Sequence, residues 1–227
     1  MTDDLLHAWA RVETWLREHR CTSALSALRP PADEEVVRSL QNAIPYPLHP
    51  HLVQWLGIHG GVPVQAAPIW PGGYVPYGVE ALKGGPEYME EMLEEFVEQR
   101  DENPEYWILD PWADPLWLPI AGTNTGESLL IDHRPGDTYG SVIEIDHESN
   151  EVTAVRWKSL GEMIRLMAES LESGSPMPYS REYALVPHLD EGPPRYLDWK
   201  LEKVLDQVAF GPGCGCVPGP CRCVSRR

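Results

Sequence analysis

The sequence predicts an α+β fold: a mostly antiparallel sheet packed with helices, followed by a C-terminal extension. Two patterns carry this reading. Apolar residues recur at helical spacing in several segments, and three short strand candidates in the middle are joined by turns too short for helical crossovers. The composition agrees, since 42% of the 227 residues are apolar and nine Trp and nine Tyr are spread along the chain, as in a packed globule.

In chain order, Leu5, Leu6, Trp9, Val12 and Leu16 predict a helix over 3–19, with Asp3 and Asp4 favouring the positive end of its dipole. After Arg29-Pro30-Pro31 a second helix over 33–43 carries Val36, Val37 and Leu40, with Glu34 and Glu35 in its first turn, and Pro45 and Pro47 end it. Pro50 suits the first turn of a third helix, with Leu52, Trp55 and Leu56 on its apolar side and Gly60-Gly61 as a left-handed stop. Pro71, Gly72, Gly73 and Pro76 interrupt 69–77, so a strand there is short or at an edge.

Gly85-Pro86 opens a further helix. Its rows Tyr88, Met92, Phe96 and Met89, Leu93, Val97 predict one continuous buried face. The strand candidates 127–133, 141–146 and 151–157 form an antiparallel meander. Ser159 and Glu162 make a capping box for a helix bearing Leu160, Met163, Ile164, Met167 and Leu171, stopped by Gly174. Beyond it, Leu197, Leu201, Val204, Leu205 and Val208 suggest one more helix. The organisation expected is an N-terminal helix (1–27), a domain (28–174), an extension (175–210) and a Gly, Pro and Cys tail (211–227) expected to be disordered unless something binds it.

The segment Leu48-His49-Pro50-His51-Leu52, continuing through Trp55-Leu56 to Gly60-Gly61, resembles the signature helix of the SUKH superfamily. Trp117-Leu118-Pro119-Ile120-Ala121, Gly126, Leu129-Leu130-Ile131-Asp132, Pro135-Gly136 and Gly140-Ser141-Val142-Ile143 are similar to that family's central strand block. The resemblance spans about residues 28–174. Gly60 and Glu127 depart from it, standing where the family favours Asn or Asp and Asp. The superfamily includes fungal cell-wall assembly regulators and many bacterial immunity proteins. The resemblance implies a SUKH-like α+β domain that works by binding, in bacterial relatives by neutralising a toxin domain.

The charge bears on the partner. Eighteen Lys and Arg against 35 Asp and Glu leave a formal net charge of -17, which repels phosphate backbones and anionic lipid. Nucleic acid and membrane are therefore not expected as partners, whereas a basic protein, such as a toxin domain, would be steered in. Nearly half of that charge falls on 87–105, with nine acidic residues against Arg100 alone. With no apolar run of about 18 residues and acidic Asp3 and Asp4 where a signal peptide carries positive charge, the expected location is the cytoplasm.

Candidate partner-binding residues follow from these patterns. Trp70, Tyr74 and Trp112 stand among Pro and Gly that interrupt regular structure, and aromatics on loops are favoured interface anchors. Glu90, Glu91, Glu94, Glu95 and Glu98 form the acidic face of their helix, which also reads as an ordinary solvated face. Cys214, Cys216, Cys221 and Cys223 form two CxC pairs, close enough for four thiolates to hold zinc or copper(I); incidental thiols in a disordered tail are the other reading.

No catalytic residue is assigned. Ser128 and Ser141 have no nucleophile-elbow context, and neither HExxH nor a Gly-rich phosphate loop occurs. A reading of another class places a metal-dependent hydrolase at Asp132, His133, Asp146 and His147, although such residues are ordinary at strand ends and Asp132 fits the family pattern as a structural hydrogen-bonding residue. The expectation is a non-catalytic binding module, immunity-like or else regulatory or scaffolding, with no cofactor outside the Cys tail.

Overall fold

The computed structural model describes residues 4–63, 68–102, 113–146, 151–190, 192 and 194–204. At its centre is a five-stranded antiparallel meander in the order β1 (Val75–Pro76), β2 (Trp117–Gly122), β3 (Ser128–Asp132), β4 (Val142–Asp146) and β5 (Glu151–Trp157). Register is fixed by burial on both faces. Leu129 and Ile131 of β3 enter the main core, while Leu130 between them points the other way and sits across from Ile143 of β4. A slip of one residue would exchange the two sets.

The main core joins that sheet face to α1 (Asp4–Glu18), α4 (Pro50–Leu56) and α7 (Leu160–Ser173) through Trp9, Leu16, Trp55, Ile164 and Met167. The other face is covered by α6 (Gly85–Glu102), whose Met89 and Phe96 pack on Trp117, Leu130, Ile143 and Ile145. Fully burying an aliphatic side chain of this kind stabilises by about 1.5–3 kcal/mol, so each face holds its helices firmly. The result is helices on both faces of a mostly antiparallel sheet.

The sequence locates α1, α3 (Glu34–Ala43), α4, α6 and α7. For α7 it also gives the ends: Ser159 Oγ accepts from the Glu162 N–H at 3.1 Å, Glu162 accepts from the Lys158 N–H at 2.6 Å, and Gly174 turns left-handed with φ of 69°. Two short helices, α2 (Thr22–Ala27) and α5 (Val79–Lys83), have too few turns to print a period on the sequence. The α4 helix stops at Leu56, four residues before the predicted stop. Gly61 does turn left-handed, at φ of 94°, but it serves a close crossing in which a Cβ would lie 2.4 Å from Gly78 Cα.

The predicted last helix is a strand. The chain after α7 forms a second antiparallel sheet in the order β6 (Met177–Pro178), β7 (Tyr183–Asp190), β8 (Tyr196–Lys203). The helical reading rested on Leu197, Leu201 and Val204, but only Leu197 of these is buried, together with Trp199 two residues on. Period two therefore prevails, with polar or exposed Tyr196, Asp198 and Lys200 between. Leu185, Leu197 and Trp199 join the main core, so this segment packs on the helices. Leu205, Val208 and the tail lie outside the described residues.

Candidate binding surface

The outer side of α6 is acidic along most of its described length. Its inward side is held by Met89 and Phe96 with Met92 and Leu93 half-buried beside them, and Glu87, Glu90, Glu91, Glu94, Glu95 and Glu98 are all exposed. The predicted continuous face is narrower than expected, because Tyr88 and Val97 turn out to solvent, Tyr88 with 40% of its surface accessible. Tyr88 thus places an aromatic ring among carboxylates. Burial of part of its ring, then the neighbouring Tyr77 and Glu95, raises the phenol pKa. The sequence hinted at Tyr88 only by putting a residue with a polar tip at the head of an apolar row.

The aromatic half of the expected surface is corrected. Trp70 and Tyr74 are buried, at 0% and 2% exposure. Gly72 and Gly73, at φ of 83° and 88°, reverse the chain so that Trp70 bridges back to Tyr74 and both rings turn inward. Trp70 meets Trp55 edge-on at 5.0 Å between ring centroids, and Trp55 meets Trp9 at 4.7 Å. Tyr74 donates its hydroxyl to the buried carboxylate of Glu144. Trp55, Trp117 and Trp157 are packed as well. Trp112 and the four tail cysteines lie outside the described residues.

Of the strand-end Asp and His residues, Asp132 and His133 serve the fold. Asp132 is fully buried and grips Arg134 through the Arg134 backbone N–H at 2.8 Å, Nε at 3.0 Å and an ion pair at 2.8 Å. Burial works to raise its pKa, but hydrogen bonds from Arg134 and Thr138 outweigh this and hold the carboxyl below its ordinary value. Arg134 in turn lies over the Trp117 ring at 4.8 Å. His133 Nε2 accepts from the His49 backbone N–H at 3.1 Å, which leaves Nδ1 to donate to the Ile131 carbonyl at 3.1 Å. The side chain of Asp146 and all of His147 fall outside the described residues, and among those described no three His, Cys, Asp or Glu converge as metal ligands.

The signature segment has its own architecture. His49 is the N-cap of α4, its Nδ1 accepting from the His51 N–H at 3.2 Å, and Pro50 fills the first turn. His51 Nδ1 accepts from the Gly161 N–H at 3.2 Å, tying α4 to the start of α7. The three imidazoles of His49, His51 and His133 and the Tyr139 ring therefore crowd one corner, closed by Gly140, where a Cβ would come within 2.3 Å of His49 Nε2. Burial first, then His51 and His133, lowers the His49 pKa to about 4.

A cleft of about 230 Å³ lies elsewhere, lined by Arg11, Trp15 and Glu172 on α1 and α7. It is smaller than the ~300–1,000 Å³ usual for ligand pockets. No described helix is long and apolar enough to cross a membrane.

No curated protein matches the chain. The sequence model of the SMI1 / KNR4 family (SUKH-1) matches residues 31–166, from just before α3 into the middle of α7, and so takes in the histidine corner, α6 and the whole five-stranded sheet. With more than half of its length matched, this chain belongs to the SMI1 / KNR4 family (SUKH-1).

Proposed function

We propose that the protein is a non-catalytic binding module of the cytoplasm that takes up a basic protein partner on the α6 face, in an immunity-like role that neutralises a toxin domain. One observation carries the reading: seven exposed Glu side chains, from Glu87 to Glu102, line a single helix that is anchored from behind by a separate apolar cluster. A fixed array of like charges attracts an opposite partner over roughly a Debye length, about 8–10 Å at ordinary salt, and raises the rate of encounter. Tyr88 adds an amphipathic ring of the kind favoured at interface centres.

The test is capture from the source cell's lysate on immobilised wild-type protein and on the triple variant E91K/E94K/E98K, followed by association kinetics with whatever basic protein is retained. The triple variant should associate about tenfold or more slowly at low salt and lose most of the salt dependence. Equal capture and equal rates would remove this face from the proposal. Inhibition of a captured toxin domain would separate an immunity role from a regulatory or scaffolding one.

A further inference from the structure

The β8 strand has a strand neighbour on one side only among the described residues. Opposite its Trp199 stands Pro187, which has no N–H. That pair exchanges no ladder hydrogen bond, so by antiparallel alternation the odd-numbered residues of β8 aim their N–H and C=O groups away from β7. The Trp199 N–H accordingly meets the Asp198 carboxylate at 2.8 Å. Upstream, α2 reaches this edge at Arg195, whose carbonyl accepts from Ser23 Oγ at 3.4 Å. Beyond it, Leu201 is 52% exposed although it shares the inner face of β8 with buried Leu197 and Trp199.

We propose that this edge is a self-association site, where two copies pair their β8 strands antiparallel about a two-fold axis at Leu201. The occupant is a second copy because the strand is complementary to itself there. Centred on Leu201, each Lys200 faces the other copy's Glu202, twice over, and the two exposed Leu201 side chains cover each other. A shift of two residues one way sets Lys200 against Lys200 and Asp198 against Glu202; a shift the other way sets Glu202 against Glu202; a shift of four, centred on Trp199, pairs Asp198 with Lys200 but sets Arg195 against Lys203 twice, on the stretch that α2 already reaches. Like charges directly opposite are unfavourable. A shift of one residue would face edge-directed groups with ladder-directed ones. Pairing joins two outer edges that alone are templates for unwanted strand addition, and an isologous contact of this kind closes at two copies.

Sedimentation velocity on the full chain over a range of concentrations tests this. Wild type should show a concentration-dependent dimer. K200E and E202K should each weaken it about tenfold or more, since two attractive contacts become repulsive. The double variant K200E/E202K should dimerise again, and so should an equimolar mixture of the two single variants, because their charges complement each other across the axis. Circular dichroism confirms that each variant is folded. Wild type that stays monomeric up to hundreds of micromolar would overturn the proposal and leave the edge uncovered or covered by residues 205–227. Single variants that associate as tightly as wild type, or a mixture no tighter than its components, would overturn it as well.

Discussion

Truncating Glu144 to alanine should cost the protein about 4 kcal/mol, a figure that follows from what converges on this carboxylate. Glu144 is buried on β4. It accepts from Arg156 Nε of β5 at 2.6 Å, from the Tyr74 hydroxyl in the loop before β1, and from the Tyr179 hydroxyl after β6. Arg156 also stacks on the Tyr179 ring at 4.2 Å. Burial first and then Glu144 raise the pKa of both tyrosines, so both remain hydroxyl donors at any ordinary pH. Removing one partner of a buried ion pair typically costs about 3–5 kcal/mol because the other charge is left uncompensated. Each orphaned hydroxyl adds about 1 kcal/mol or more, and water entering the space returns part of the total.

Urea and thermal unfolding of wild type and E144A measure the loss. For a chain of this size 1 kcal/mol moves Tm by about 2–4 °C, so a drop of about 8–16 °C is expected. Tyr179→Phe should lose about 1 kcal/mol, and E144Q with Y179F in a double-mutant cycle should couple by about 0.5 kcal/mol or more. Because Tyr179 belongs to the segment after α7, E144A should also make that segment the first to be cut in limited proteolysis. Stability of E144A within 1 kcal/mol of wild type would refute the argument, since it would mean that water or another donor set already satisfies these groups.

Two further predictions concern the histidine corner. His49 titrates at about 4 in the folded protein, below its ordinary value of 6.5, so the unfolded chain takes up a proton between those limits that the folded chain refuses. Its contribution is therefore complete above pH 6.5 and is lost as pH falls toward 4, by about 2 kcal/mol once half-buried His51 is allowed to admit water; H49Q should flatten the acid limb of stability against pH, and an unchanged slope would exclude His49 as its source. Gly140→Ala combines a left-handed φ of 83° with a Cβ 2.3 Å from His49 Nε2, and urea unfolding should show a loss of about 2–4 kcal/mol; a loss under 0.5 kcal/mol would mean that the corner yields easily.

What the sequence reveals of this fold follows the reach of its local signals. The α7 helix is legible to its ends because Ser159, Glu162 and Gly174 act within a few residues of the backbone groups they satisfy. β8 is misread because Leu197, Leu201 and Val204 fit a helical spacing while Trp199, between them, carries the competing period of two. Trp70 and Tyr74 look like loop aromatics because Pro and Gly surround them, and no local pattern says whether a Gly72-Gly73 turn points outward or into the core. Nothing local to Glu144 marks it as buried, since its partner Tyr74 lies 70 residues away, and the tie from His51 to Gly161 spans 110. Such contacts leave no period in the sequence, because each is one polar group meeting one other, placed there by elements that apolar periodicity has already folded. The acidic face of α6 is legible for the opposite reason: a carboxylate facing water needs no partner, so its position on the helix alone decides its exposure.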